Sequence, residues 1–73
     1  MKTVAVIDDD VYIGDMLETL LKCEGYGVVR AYSGTEALML LSQTRPDIIL
    51  LDLMLPGLSG EELLPSIKNI PVI

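Results

Sequence analysis

Four carboxylates stand where two apolar runs stop. Thr3 to Ile7 (TVAVI) ends at Asp8-Asp9-Asp10, and Ile48-Ile49-Leu50-Leu51 ends at Asp52. Short, continuously apolar runs of this kind read as strands buried on both faces, so each acidic group marks a strand's C-terminal tip. Carboxylates drawn together repel, by roughly 4 kcal/mol per pair at 4 Å with an effective dielectric of 20. A small hard cation offsets that repulsion. Mg²⁺ takes carboxylate, carbonyl and water oxygens at about 2.0–2.1 Å in octahedral geometry and keeps several waters. A metal that holds one carboxylate oxygen can also hold a phosphoryl oxygen, while another carboxylate oxygen attacks phosphorus in line. The chemistry to look for is therefore phosphoryl chemistry on an aspartate.

The elements that must position these groups are legible around them. From Val11 to Cys23 the apolar residues Ile13, Met16, Leu17, Leu20 and Leu21 recur at helical spacing with Asp15, Glu18 and Lys22 between them, and Gly25 supplies a C-terminal stop. Val28 to Ala31 predicts a second strand. Ser33-Gly34-Thr35-Glu36 predicts a capping box opening a helix with Ala37, Leu38, Leu40 and Leu41 on its apolar side, and Pro46 ends the loop that follows. Ser59-Gly60-Glu61-Glu62 is a second capping box for a third helix with Leu63, Leu64 and Ile67, which Pro65 should shorten or kink. Ile70-Pro71-Val72-Ile73 has the composition of an opening fourth strand. Alternating strands and helices with short connections imply parallel strands, right-handed crossovers and an open α/β sheet with helices on both faces. Ligands of such sheets sit outside the carboxyl ends of the strands, so Asp8, Asp9 and Asp52 share a site if the first and third strands are neighbours.

Composition narrows the functional classes. The chain has 73 residues, eleven Asp and Glu against five Lys and Arg, and a formal net charge of −6, which argues against direct binding of nucleic acid or anionic lipid. Cys23 is the single cysteine and there is no histidine, so this chain offers no disulfide framework, Cys/His zinc site, or Ser-His or Cys-His pair. No apolar run reaches the length of a membrane span, and Met1-Lys2 leads into a five-residue apolar stretch unlike a signal peptide, so a soluble cytoplasmic protein is expected. With three Tyr as the only aromatics, the core must be aliphatic. A chain this short buries only about 60% of its unfolded surface, so one marginal domain is expected.

The segments VAVIDDD, LLDLMLPGLSGEEL and IPVI, in this order and separation, resemble the receiver domain of bacterial two-component response regulators. The resemblance implies a flavodoxin-like open parallel sheet, here incomplete, with residues 1–73 as the N-terminal part of the domain: about three βα units and the start of a fourth strand. It implies that Asp52 accepts a phosphoryl group from a sensor histidine kinase. It also implies Mg²⁺ bound directly by Asp9, through water by Asp8, and by Asp52 and the backbone carbonyl of Met54, with Asp10 outside the set. Pro56, Gly57 and Gly60 would shape the loop and the start of the third helix. The family's switch residues and its phosphoryl-pairing Lys fall beyond Ile73, and Lys68 is no substitute. The expectation is thus metal binding with impaired phosphorylation and switching, no substrate turnover, and self-association through the sheet edge. LDLMLPG further resembles receivers joined to winged-helix DNA-binding domains, which implies a transcription regulator as the parent protein.

Two other functions compete. Asp8-Asp9-Asp10 after an apolar strand also resembles the D-x-D of haloacid dehalogenase-like phosphatases, with Asp8 as nucleophile and Asp10 as acid/base, although the loop after Asp52 disfavours it. A structural half-domain that is never phosphorylated is the other. Plainer roles exist for single residues as well. Asp8 to Asp10 can cap the first helix, Asp52 can form a turn, Tyr12, Tyr26 and Tyr32 suit half-buried surface positions, and Cys23 suits an inert helix flank.

Overall fold

The computed structural model describes residues 1–52, 65 and 70–73. Five elements follow in order: β1 (Thr3–Ile7), α1 (Val11–Cys23), β2 (Gly27–Ala31), α2 (Gly34–Gln43) and β3 (Ile48–Leu51). The strands form a parallel sheet in the order β2-β1-β3. β2 begins one residue earlier than its β-branched run, because the Gly27 amide donates to the Lys2 carbonyl at 2.9 Å and Gly27 pairs with Thr3.

Local chemistry sets the helix ends. Asp10 caps α1, its Oδ1 accepting from the amides of Tyr12 (3.0 Å) and Ile13 (3.1 Å). The helix closes in a Schellman arrangement: the Gly25 amide donates to the Lys22 carbonyl and the Tyr26 amide to the Leu21 carbonyl, with Gly25 at φ 91°, where a side chain would be strained. Ser33 caps α2 by accepting from the Glu36 amide at 3.1 Å. The return arm of this capping box reaches one residue further than the simple motif, to the Tyr32 amide at 2.7 Å.

The sheet is covered on both faces. On one, α2 brings Ala37 and Leu41 against Ala5, Ile7, Ala31 and Ile49, all buried, and the three alanines permit close approach of helix and sheet. On the other, α1 lies over β1 and β2 with Gly14 buried and Leu17 and Leu21 half-buried. The apolar arc of α1 is wider than the sheet beneath it: Ile13, Met16 and Leu20 are 44%, 55% and 56% exposed. Tyr12, expected at a half-buried position, is 86% exposed in the first turn, where its side chain has left the helix–sheet contact. Cys23 is exposed.

Gly14 is costly at mid-helix, by about 1 kcal/mol relative to Ala. A Cβ there would lie 2.7 Å from Cζ of Arg30, so the guanidinium that rests against the helix would have to shift. Residues 70–73 run along the far side of β3, with Ile73 N–H donating to Ile49 O (2.8 Å), Leu51 N–H to Ile73 O (2.9 Å), and one parallel bridge between Ile49 and Val72. The fourth strand expected there is thus represented by a single bridge. The expected third helix and the loop after Asp52 lie outside the described residues.

Candidate functional site

Register brings the acidic tips together. Val4 pairs with Ile48 and Ile7 with Leu51, so the next rung of the parallel ladder sets Asp8 beside Asp52. The ladder extends to these residues: the Asp52 amide donates to the Ile7 carbonyl at 2.9 Å, and the Asp8 amide to the Ala31 carbonyl at 3.1 Å. Both positions continue the even-numbered residues of β1 and β3 (Val4, Val6, Ile48, Leu50), which face α1, because side chains alternate across a strand. The strand order reverses between β1 and β3, which is the place where open parallel sheets bind ligands.

The four aspartates have different roles. One carboxylate oxygen each from Asp8, Asp9 and Asp52 lies within 4.8 Å of the other two, with Asp8 and Asp52 half-buried and Asp9 exposed. Asp8 also accepts from the Asp10 amide at 2.8 Å through Oδ1, which ties the strand tip to the start of α1. Asp10 itself is engaged as the helix cap and stands outside the cluster. The capping role considered for all three residues therefore belongs to Asp10.

This donor set suits a small hard cation. Octahedral ligands at about 2.1 Å are separated by roughly 3 Å when adjacent and 4.2 Å when opposite. Oxygens up to 4.8 Å apart thus need only a small side-chain adjustment, or one water between metal and carboxylate. Beside the cluster is a recess of about 280 Å³ lined by Val6, Asp8, Leu17, Leu50, Leu51, Asp52 and Ile73. A larger, mainly apolar recess of about 440 Å³ opens near Val4, Leu21, Ile48 and Leu50. Among the described residues its lining has a single acid, Asp47, which accepts from the Thr3 amide at 2.8 Å and ties the starts of β1 and β3 together.

A second charged group occupies the flank between α1 and β2. Nη1 of Arg30 bonds Asp15 (3.0 Å) and Glu18 (2.9 Å), and Lys22 pairs with Glu18 at 2.6 Å. The Lys22 hydrogen bond, followed by that of Arg30, holds the Glu18 carboxyl below its ordinary value. Burial would lower the Arg30 pKa, but the hydrogen bonds it donates to Asp15 and Glu18 outweigh it and raise it. The sequence reading missed this group. A glycine in the middle of an amphipathic helix and a lone arginine in an apolar strand were the available signals. Of the other residues singled out by sequence, Met54, Pro56, Gly57, Gly60 and Lys68 lie outside the described residues.

A family model for the response regulator receiver domain matches residues 4–73. The chain belongs to this family. Among solved structures it is similar to the chemotaxis response regulator CheY4 of Vibrio cholerae, at 31% identity and a TM-score of 0.89, covering 99% of this chain and 65% of that one. The N-terminal domain of a response regulator receiver protein from Methanoculleus marisnigri is 40% identical with a TM-score of 0.86, covering 99% and 63%. The response regulator TrrA of Thermotoga maritima, solved with Mg²⁺ and BeF, is 33% identical with a TM-score of 0.86, covering 99% and 66%. The chain therefore spans just under two thirds of the length of these solved chains. It is a receiver domain of the two-component, CheY-like type with the corresponding flavodoxin-like sheet. No helix among the described residues is long and apolar enough to cross a membrane.

Proposed function

We propose that residues 1–73 are the N-terminal part of a cytoplasmic receiver that takes a phosphoryl group from a sensor histidine kinase onto Asp52, with Mg²⁺ held by Asp8, Asp9, Asp52 and the Met54 carbonyl. The observation that carries this reading is the mutual approach of Asp8, Asp9 and Asp52 at the strand-order reversal. When bound, Mg²⁺ neutralises charge on the carboxylates and the transferring group. The Asp52 oxygen forms the new bond to phosphorus as the donor's P–N bond breaks. The bonding pair returns to the imidazole nitrogen, which takes up a proton, and an acyl phosphate remains on Asp52. The chain acts as a phosphoacceptor without turning over a dedicated substrate. Control of transcription is the output we assign, from the resemblance of LDLMLPG to receivers of winged-helix regulators.

The phosphatase alternative is weakened by Asp10, whose carboxylate is used as the α1 cap and is therefore poorly suited to act as acid/base. Self-association through the sheet edge fits the exposed Val72 and Ile73 beside β3, and sedimentation across a concentration series tests it. Labelling with acetyl phosphate tests the assignment of Asp52. Label is expected on the wild-type chain in Mg²⁺, at a lower level than on Vibrio cholerae CheY4 treated identically, and none on Asp52→Asn. Label that persists in Asp52→Asn, or that appears only on Asp8, contradicts the reading.

A further inference from the structure

We infer that Arg30 is a positioning residue for the acidic cluster, acting through its seat on Gly14. The inference rests on the reading of Asp8, Asp9 and Asp52 as a cation site. Arg30 lies on β2, yet its side chain is only 11% exposed and meets successive positions of α1: it packs on Gly14 and bonds Asp15 and Glu18. Its other flank lies 5.0 Å from the centroid of the Tyr32 ring. Nε and Nη2 are buried with no hydrogen-bond partner among the described residues. A guanidinium seeking ion pairs alone would keep these donors in water, since exposed Asp15 could be reached from outside. The group is held inward by shape, with a flat fork against a helix face that lacks a side chain.

The position of this seat matters for the site. Gly14 is one turn beyond Asp10, and its amide donates to the Asp10 carbonyl at 3.0 Å. The Asp10 amide in turn donates to Asp8. A helix transmits displacement rigidly over one turn, so a shift of α1 at Gly14 moves the donor that orients the Asp8 carboxylate. Arg30 thus sets how α1 meets the sheet, and α1 sets the acidic tip.

The test titrates the 73-residue chain with Mg²⁺ alone, following the amide resonances of Asp8, Asp9 and Asp10 by NMR, with thermal melts run in parallel. Gly14→Ala should displace the Asp10 resonance before metal is added and weaken Mg²⁺ binding about tenfold, the lower end of what loss of a supporting contact costs a metal site. Arg30→Ala should act similarly, and so should Arg30→Lys, which keeps the charge but lacks the flat fork that rests on Gly14. In the double variant, Gly14→Ala with Arg30→Ala, the added methyl group enters space left by the guanidinium, so this chain should bind Mg²⁺ more tightly than either single variant; that non-additivity marks direct coupling. The inference is overturned if the two losses simply multiply, or if melting falls while the Asp10 resonance and the Mg²⁺ affinity stay unchanged. Should Gly14→Ala not fold, Arg30→Lys decides by the same readouts: a displaced Asp10 resonance with weakened Mg²⁺ binding supports the seat, and wild-type values for both overturn it. A wild-type chain in which Mg²⁺ moves neither Asp8 nor Asp9 overturns the cation-site reading instead, and the metal-free Asp10 resonance still decides the role of Arg30.

Discussion

The two faces of the sheet divide the work. Beneath α2 the contact is closed: small Ala5, Ala31 and Ala37 let helix and sheet approach, and Ile7, Leu41 and Ile49 fill the layer. Beneath α1 the contact is looser. It rests on a glycine and an arginine, leaves Ile13, Met16 and Leu20 substantially exposed, and is flanked by two recesses. The acidic cluster lies at the tip of this second face. The α2 face thus closes the core while the α1 face carries the acidic cluster, so substitutions on the two should separate stability from cation binding.

The largest effect on stability is expected at Ile49, fully buried in the α2-side layer. Ile49→Ala should cost about 2–5 kcal/mol, enough to unfold much of a marginal chain, as read by urea denaturation. On the α1 side, Asp52→Asn should weaken Mg²⁺ binding by at least about tenfold, since loss of even a ligand's supporting partner has effects of that size. Calorimetric titration reads the affinity, and the melting temperature without metal should not fall. Ser33→Ala removes the α2 cap and should cost about 1 kcal/mol with no change in Mg²⁺ affinity. If these two variants changed the same property, the division between the faces would fail.

Smaller effects refine the comparison. Glu18 has its pKa lowered in the folded chain, first by the Lys22 hydrogen bond and then by Arg30, from an ordinary value of 4.5. Its contribution to stability is therefore fully present above that unfolded value and is lost as pH falls through the lower folded value. The difference in melting temperature between wild type and Glu18→Gln should shrink as pH is taken from about 6 towards about 3, a window that spans the ordinary glutamate range. A difference that is constant, or grows on acidification, would remove the ion-pair account of this flank. Leu20→Ser, on the exposed arc of α1, should change stability by no more than about 0.5 kcal/mol.

Much of this arrangement was readable in the residues. The apolar runs ending at Asp8 and Asp52 gave strand tips, and the Ser33–Glu36 spacing gave the start of α2, because both are local patterns. Adjacency of β1 and β3 entered as a condition and is met in the register that sets Asp8 beside Asp52. The resemblance set Asp10 apart from the metal ligands, but the residues themselves did not show which of Asp8, Asp9 and Asp10 caps α1. Three identical side chains in a row differ only in where the backbone turns, which depends on how α1 docks. Nor was the Gly14–Arg30 seat, since it joins residues far apart in sequence on different elements. Exposure of Met16 and Leu20 was missed for a related reason: periodicity gives the width of an apolar arc, whereas the neighbouring elements decide how much of it is covered.

The central claim is that Asp8, Asp9 and Asp52 make one cation site while Asp10, adjacent in sequence, belongs to the helix. Calorimetric titration of Mg²⁺ into wild type, Asp9→Asn and Asp10→Asn tests it most directly, because Asn still caps a helix and each variant removes one negative charge. One Mg²⁺ per chain is expected for wild type and Asp10→Asn with similar affinity, and severe weakening for Asp9→Asn. Equal losses in the two variants, or a wild-type chain that takes up no Mg²⁺, would contradict it.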